Sequence, residues 1–205
     1  MSVWAIVPVK PLNRGKSRLA EVLTREERTQ LNLRLLEHTL DVITSVPSIE
    51  QVMVISRDQS ALTFAREHGA RTILENGTPQ LNVALTRATH VAKEYAVKGI
   101  LIIPADLPLI ERNEVNIMIE HAKMPPIVAI APDQHFTGTN ALLVCPPGLI
   151  NYEFGRNSFN RHCSAAIEKG VPLEICELQS FALDIDLPQD LELLKESLDG
   201  FLMKT

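Results

Sequence analysis

The alternation of short apolar runs with longer helical patterns is the feature that most constrains how this chain can fold. Each apolar run is short, rich in β-branched residues and flanked by turn residues, which is typical of a buried strand. We predict five such strands, at residues 3–9, 51–55, 100–104, 127–131 and 141–145. Strands that alternate with helices at this spacing indicate an α/β fold, with a largely parallel central sheet and helices on both faces.

The predicted helices have clear start and stop signals. The sequence from Thr24 to Glu27 is a capping box, and the leucines that follow it fall on one helical face, at positions 31, 35, 36 and 40. Pro188 suits the first turn of a last helix that runs to about residue 197. Between these two helices the pattern predicts three more, at residues 60–68, 82–97 and 111–123.

A basic segment follows the first predicted strand. Sheets of this kind bind ligands beyond the carboxyl ends of their strands, so functional residues are expected just after a strand. Four cations lie there within nine residues, with Gly15 relieving the backbone between them: Lys10, Arg14, Lys16 and Arg18. A strand, a basic turn and a helix start together suit phosphate groups, through cations and exposed N–H groups. The alternative is a solvated basic loop, which the position after a strand disfavours.

Asp106 follows the predicted strand at residues 100–104 and has a proline on each side, at positions 104 and 108. A carboxylate at the end of an apolar strand is a good ligand for Mg²⁺, which prefers one or two carboxylates together with substrate phosphates. The alternative is that Asp106 caps the helix that starts near Glu111, but the separation is too long for a cap. The position therefore favours a metal ligand.

Asp184 and Asp186 form a second acidic candidate near the end of the chain. In an extended segment, residues two apart point to the same side and lie about 7 Å apart. Two acids so placed repel each other unless a cation lies between them. Asp186 could equally be the N-cap of the helix begun by Pro188, and the spacing alone leaves both interpretations open.

Two small-residue turns, at residues 137–140 and 155–159, could hold an anion. Glycine permits a close backbone approach, and Thr or Ser hydroxyls beside free N–H groups can bind a carboxylate or a phosphate. Each turn by itself fits an ordinary loop equally well. Trp4 is predicted to lie in the core, and His162 is interpreted as a surface or packing residue.

Composition excludes several classes of protein. The 205 residues suit a single domain, 1–205. Twenty basic side chains against 25 acidic ones give a net charge of −5, which argues against a nucleic-acid partner. No apolar run approaches the roughly 20 residues that a membrane span requires. Three cysteines without C-x-x-C spacing favour reduced thiols and a cytoplasmic protein, and the apolar helix faces would allow a homodimer.

Taken together, these segments resemble the 2-phospho-L-lactate and phosphoenolpyruvate guanylyltransferase family, which supplies a guanylylated intermediate for coenzyme F-420. The resemblance covers nearly the whole chain and rests on several motifs in order. They are V-P-V-K and G-K-S-R-L near the start, L-N-V-A-L at 81–85, P-A-D-L-P-L at 104–109, G-T-N-A-L at 138–142, G-R-N-S-F at 155–159 and D-I-D-L-P-Q-D-L at 184–191.

The resemblance implies a Rossmann-like nucleotidyltransferase of the nucleotide-diphospho-sugar transferase type. Such an enzyme would use GTP and Mg²⁺ to transfer GMP to phosphoenolpyruvate or 2-phospho-L-lactate. The resemblance also implies that Asp106, Asp184 and Asp186 bind the metal, and that Thr139, Gly155 and Ser158 bind the phospho-acid. Lys10, Lys16 and Arg18 would hold the triphosphate, with Ser56 and Asn82 as looser candidates for nucleotide contact. Lys16, Arg18 and Asp106 would carry the catalysis.

Other functions remain open at this point. The alternatives are a molybdenum-cofactor or sugar-phosphate nucleotidyltransferase, a metal-dependent glycosyltransferase, and a non-catalytic GTP-binding sensor of the same fold. The turns around Thr139 and Gly155 suit a small acid better than a pterin or a sugar, and the presence of all three aspartates argues against a sensor. The residues do not distinguish among 2-phospholactate, phosphoenolpyruvate and 3-phosphoglycerate, and a preference for guanine follows from the resemblance alone.

Overall fold

The computed structural model describes residues 2–77 and 79–197 of the chain. Its strands are β1 (Val3–Val9), β2 (Ile49–Ser56), β3 (Arg71–Leu74), β4 (Gly99–Ile102), β5 (Ile127–Pro132), β6 (Thr139–Cys145) and β7 (Leu173–Ile175). Its α-helices are α1 (Arg25–Thr44), α2 (Gln59–Glu67), α3 (Leu81–Lys93), α4 (Arg112–Glu120), α5 (Ser158–Glu168), α6 (Gln179–Ala182) and α7 (Pro188–Ser197). Short 3₁₀ turns cover Ser17–Glu21 and His121–Lys123.

The strands form one seven-stranded sheet in the order β3-β2-β1-β4-β6-β5-β7. Among the strands that the structure describes, only β6 runs against its neighbours, since it pairs antiparallel with both β4 and β5. The prediction of a largely parallel sheet is therefore confirmed. Because β6 is reversed, its first residues, Thr139 and Asn140, lie at the same edge of the sheet as the carboxyl ends of β1 and β4.

Helices cover both faces of the sheet, as predicted. Val3, Ala5 and Val7 of β1 are fully buried against the side that carries α1, α2 and α4. Trp4 and Ile6 alternate with them and pack on the opposite side, with apolar residues of α3 and α5. This alternation is the period of two that a strand imposes on its side chains. The prediction that Trp4 lies in the core is confirmed.

A third and smaller apolar cluster lies outside the two sheet faces. It consists of Leu19 in the first 3₁₀ turn, Leu31 and Leu35 of α1, Ile185, and Leu194 of α7. All five side chains are buried. The cluster therefore packs the basic segment after β1 against the acidic segment before α7, although the two are far apart in the sequence.

The predicted capping box at the start of α1 is confirmed. The Glu27 N–H donates to Thr24 Oγ1 at 3.2 Å, and the Thr24 N–H donates to Glu27 Oε2 at 2.7 Å. This reciprocal pair satisfies backbone donors that have no partner within the helix. The four leucines predicted to share one face of this helix are all buried.

Several elements differ from the predictions. The strand predicted at 100–104 ends at Ile102, and the helix predicted at 82–97 ends at Lys93, before Ala96 adopts a left-handed backbone with φ 55°. The short strands β3 and β7 were not predicted, because they form the two edges of the sheet and are largely exposed, so neither shows a buried apolar run. Helix α5 was also missed, since its start was interpreted as a turn.

The described residues bear on the predictions about membrane spans and about the cysteines. None of their helices combines the length and the hydropathy needed to cross a bilayer. All three cysteines are free thiols, with Cys145 and Cys176 buried. Burial raises the pKa of Cys145 to about 12 and is the main reason that the pKa of Cys176 rises to about 11. These two thiols are therefore protonated at neutral pH, which makes them poor nucleophiles.

Candidate active site

A cavity of about 380 Å³ lies at the edge of the sheet where the parallel strands end. Five of the residues singled out from the sequence line it together: Lys10, Lys16, Asp106, Asp184 and Asp186. They come from three segments, after β1, after β4 and before α7. The strand-end position that sequence reasoning required of functional residues is thus the place where these side chains meet.

Three carboxylates form the acidic end of this cavity. Asp106, Asp184 and Asp186 each present an oxygen within 4.8 Å of the others. The Ile185 N–H donates to the Asp106 carbonyl oxygen at 3.1 Å, which joins the two acidic segments through their backbones. Because the Ile185 side chain is fully buried, the carboxylates on either side of it face the cavity together.

The structure resolves the two interpretations of Asp186. Backbone N–H groups at the start of α7, those of Asp186 and Leu187, donate to Asp190 Oδ2 at 2.7 and 2.6 Å. Asp190 therefore binds the two N–H groups that immediately precede α7, whereas the Asp186 carboxylate faces the basic segment. The N-cap alternative for Asp186 is wrong.

Two cations of the basic segment pair with the carboxylates. Lys16 Nζ lies 3.1 Å from Asp106 Oδ2 and 3.6 Å from Asp186 Oδ1, and its side chain is only 5% exposed. Arg18 Nη1 lies 3.3 Å from Asp186 Oδ2, but its side chain is 68% exposed. The Lys16 side chain is shielded from water, so its contacts should be stronger than the Arg18 pair, which solvent screens more.

Asp184 has a raised pKa. Burial, followed by the nearby charges of Asp106 and Asp186, raises the pKa of Asp184 to about 6, although the Lys16 ammonium acts in the opposite direction. The charges of Asp106 and Asp186 therefore still act on Asp184 despite the nearby Lys16 ammonium. Such a set of oxygen donors fits a divalent ion, since Mg²⁺ prefers carboxylate ligands and its charge would remove the repulsion.

The conformation of the basic segment depends on two residues that sequence reasoning missed. The Leu12 N–H donates to Asp58 Oδ2 at 2.8 Å, and Asn32 Nδ2 donates to the Leu12 carbonyl at 2.7 Å. Gly15 packs against the same amide, because a Cβ built there would lie 2.7 Å from Asn32 Nδ2. Lys16 then adopts a left-handed backbone with φ 56°. Asp58 is locally recognisable only as the N-cap of α2, where Oδ1 accepts from the Ser60 N–H, and no local pattern indicates that it or Asn32 would bind the distant Leu12.

Ser56 and Asn82 have structural partners. Ser56 is fully buried at the end of β2, and its hydroxyl accepts a hydrogen bond from the Asp58 N–H at 3.0 Å. The Asn82 side chain bonds both backbone groups of Phe154, which does line the cavity. Both residues therefore support the walls of the cavity, and contact of either side chain with a nucleotide stays a prediction.

The three residues assigned to the phospho-acid lie around the start of α5. Ser158 is its first residue, and the Ser158 N–H donates to the Gly155 carbonyl at 3.1 Å. Gly155 has φ 116°, a conformation that side-chain-bearing residues rarely adopt. The Thr139 hydroxyl is hydrogen-bonded to His162, which lies in the same helix. Along the chain, Thr139 and Gly155 each adjoin a residue that lines the cavity, Asn140 and Phe154.

His162 is a supporting residue that sequence reasoning set aside. Its Nε2 accepts a hydrogen bond from the Glu153 N–H at 2.9 Å, and its Nδ1 lies 3.0 Å from Thr139 Oγ1. Since Nε2 accepts, the neutral ring carries its proton on Nδ1 and donates to the Thr139 oxygen. The Thr139 hydroxyl hydrogen is left to donate elsewhere. Burial, with a smaller effect of the Arg161 charge, lowers the pKa of His162 to about 4.

The sequence of the chain matches a known family over almost its full length. The family described as "Guanylyl transferase CofC like" matches residues 3–199. The chain belongs to this family. A phosphoenolpyruvate guanylyltransferase of Rubrobacter xylanophilus is 40% identical to it over 197 residues, which cover 96% of this chain and 95% of that protein. A 2-phospho-L-lactate guanylyltransferase of Methanobrevibacter ruminantium is 32% identical over 200 residues, covering 92% and 83%.

Solved structures support the fold assignment of this CofC-like family member. A protein of Desulfovibrio desulfuricans G20, assigned as a nucleotide-diphospho-sugar transferase, superposes with a TM-score of 0.77 at 14% sequence identity. The similarity covers 97% of this chain and 88% of that one. Both the predicted fold class and the family resemblance drawn from the motifs are therefore confirmed.

Removing the Asp184 carboxylate should stabilise the metal-free protein. Because the pKa of Asp184 is raised, its ionised form destabilises the fold above about pH 6 and has no effect below its ordinary value near 3.8. Asp184→Asn should therefore raise the thermal unfolding midpoint at pH 8 in EDTA by about 2–4 °C, which corresponds to about 1 kcal/mol after allowance for solvent screening. At pH 3.5 the variant and the native protein should unfold at the same temperature.

Added Mg²⁺ provides the second half of this test. It should raise the midpoint of the native protein at pH 8 and have a much smaller effect on Asp184→Asn. Asp41→Asn, on the exposed side of α1, is the control and should behave like the native protein in both buffers. A lower midpoint for Asp184→Asn in EDTA would contradict the repulsion.

The buried histidine predicts a pH dependence of stability. His162 has an ordinary pKa of 6.5 when unfolded and about 4 when folded, so its contribution is complete above pH 6.5 and is lost as the pH falls towards 4. The total loss is about 3 kcal/mol. Urea unfolding at pH 7.5 and 4.5 should show this loss in the native protein and not in His162→Gln. The comparison isolates the ring, because other titrating groups are common to both proteins, and equal pH dependence would exclude the effect.

Proposed function

We propose that this protein transfers GMP from GTP to the phosphate of phosphoenolpyruvate or 2-phospho-L-lactate and releases pyrophosphate, as a step in coenzyme F-420 biosynthesis. The observation that carries the proposal is the convergence of Lys16 with Asp106, Asp184 and Asp186 at one end of a cavity. The names of the two relatives support the choice of GTP and of a small phospho-acid. Membership of the CofC-like family favours this reaction over a sugar-phosphate transferase or a sensor.

The reaction needs no nucleophile from the protein. An oxygen of the acceptor phosphate forms a bond to the α-phosphorus of GTP, while the bond from that phosphorus to the bridging oxygen of the β-phosphate breaks. Pyrophosphate leaves with the electron pair of the broken bond. The contribution of the chain is then to position the two anions and to offset their charge.

Lys16 and Arg18 are the residues we propose to offset charge on the triphosphate. Lys16 is held by ion pairs in a position nearly closed to water, where a charge interacts most strongly with a neighbouring phosphate. Arg18 lies farther out and is exposed, which suits the leaving pyrophosphate. Lys10 lines the same cavity and would extend the cationic surface.

We propose that Asp106, Asp184 and Asp186 hold Mg²⁺, because their oxygens lie close together, and burial followed by the charges of the other two acids raises the pKa of Asp184. When bound, the ion would supply positive charge that offsets the negative charge of the acceptor phosphate and of the α-phosphate. The carboxylates would hold the ion in position. The hydrogen bond from the Ile185 N–H to the Asp106 carbonyl joins the two backbone segments that carry them.

The acceptor would lie at the start of α5. The N-terminus of a helix carries partial positive charge, which suits the carboxylate of a phospho-acid. Gly155 and Ser158 lie at this helix start. The Thr139 hydroxyl can donate to a ligand, because its oxygen accepts from His162 and its hydrogen is not used in that bond. We assign phospho-acid binding to these three residues, Thr139, Gly155 and Ser158.

We also propose a cytoplasmic protein with no nucleic-acid or membrane partner. Three free thiols, two of them buried, and a net charge of −5 support this assignment. A homodimer stays a prediction from the apolar helix faces.

The direct test is pyrophosphate release from GTP and Mg²⁺, with phosphoenolpyruvate, 2-phospho-L-lactate and 3-phosphoglycerate offered separately. We expect release with one or both of the first two acids. Asp106→Asn should lower kcat by about 10²-fold or more, the scale of losing one electrostatic stabiliser, whereas Asp41→Asn should not. Release with none of the acids would refute the proposed function, and a near-normal rate for Asp106→Asn would refute the role of that residue.

A further inference from the structure

The cavity extends well beyond its acidic end. Its lining includes Ile55 of β2, Glu75 directly after β3, and Leu81 and Ala84 of α3. Neighbouring strands lie about 4.8 Å apart, so β3 and β4, with two strands between them, are separated by about 14 Å. That separation is enough to place the base of an extended nucleotide at one end and its phosphates at the other.

The end near β3 has the character of a base pocket. Ile55 and Ala84 are buried apolar residues, and Leu81 adds an apolar side chain that is 42% exposed at the cavity wall. Apolar surfaces of this kind suit the faces of a purine. The phosphates belong at the other end, with Lys16, and the phospho-acid belongs beyond it, near β6.

Glu75 is the one carboxylate among the described lining residues that lies away from the three aspartates. Its backbone is fixed by the hydrogen bond from its N–H to the Ser56 carbonyl at 2.8 Å. Its Oε1 accepts a hydrogen bond from the Gln80 N–H at 3.3 Å, and no described residue donates to Oε2. The ion pairs of the described residues likewise leave Glu75 out.

We infer that Glu75 determines the choice of base, by accepting hydrogen bonds from N1–H and from the 2-amino group of guanine. An ionised carboxylate is an acceptor only and can take two parallel N–H donors. Guanine presents two such donors on one edge, whereas hypoxanthine presents one and adenine presents a lone pair at N1. The inference rests on the proposed use of GTP and names the residue that would select it.

The test compares GTP with inosine triphosphate, which differs only by the absence of the 2-amino group. Pyrophosphate release should be measured with the phospho-acid that the native protein accepts. The native protein should favour GTP in kcat/KM by about tenfold or more, because a site built to accept a hydrogen bond rejects the analogue that lacks the donor. A native ratio near one would overturn the inference without any variant.

Glu75→Gln is the informative substitution. Its amide oxygen can still accept from the Gln80 N–H, but its NH₂ group meets a guanine donor, so the preference for GTP over inosine triphosphate should fall to about one. Glu75→Ala should also abolish the preference. Any contribution of the hydrogen bond from the Gln80 N–H would then be seen as a further loss of kcat/KM that is the same for both nucleotides. Glu50→Gln, an exposed residue near the opposite end of β2, is the control and should keep the native ratio.

Other outcomes separate this inference from the proposed function. If Glu75→Gln lowers kcat/KM equally for both nucleotides, Glu75 supports the wall or binds the ribose, and the inference is wrong. If the native protein releases no pyrophosphate with any acid, the proposed function fails. Calorimetric titration of GTP and inosine triphosphate into the native protein and Glu75→Gln then decides the inference, since the affinity ratio should change in the same way.

Discussion

The ion pair between Lys16 and Asp106 is the interaction on which the arrangement of the site depends. It joins residues 90 positions apart, and Lys16 also reaches Asp186. Three carboxylates with oxygens within 4.8 Å of one another would otherwise repel, and burial together with the charges of Asp106 and Asp186 still raises the pKa of Asp184. A site left in this state has a strong electrostatic preference for further positive charge. Stability of the metal-free fold and affinity for a cation are therefore opposed at these residues.

The backbone around this pair is held by contacts that are not themselves charged. The third apolar cluster packs Leu19 against Ile185, and these residues lie within a few positions of Lys16 and Asp186. Asp58 and Asn32 hold the basic segment through the two backbone groups of Leu12. Since apolar burial is only weakly sensitive to salt and pH, this framework can keep the charged side chains in place when the charges themselves change.

The cavity follows the strand order of the sheet, and each part has a different chemistry. Acids and cations converge where β1 and β4 end, while apolar residues and Glu75 lie towards β3. Thr139 approaches from the reversed strand β6, with its hydrogen bonding set by His162. Reversal of β6 is what brings the first residues of that strand, and not its last, to the same edge. One antiparallel strand in an otherwise parallel sheet therefore adds a wall to the site.

Local signals in the sequence determined the α/β class, the core strands, the capping box at Thr24 and the position of Asp106 just after a strand. Each of these depends on residues within one turn or one strand, where periodicity and side-chain chemistry act directly. The tertiary structure alone decided that Asp190 binds the N–H groups just before α7, and that the Asp186 carboxylate pairs with Lys16 and Arg18. It alone revealed the roles of Asp58, Asn32 and His162, whose partners lie outside their own elements. Hydrogen bonds and ion pairs across such separations form only after the apolar core has set the distances, so no pattern within a short window encodes them.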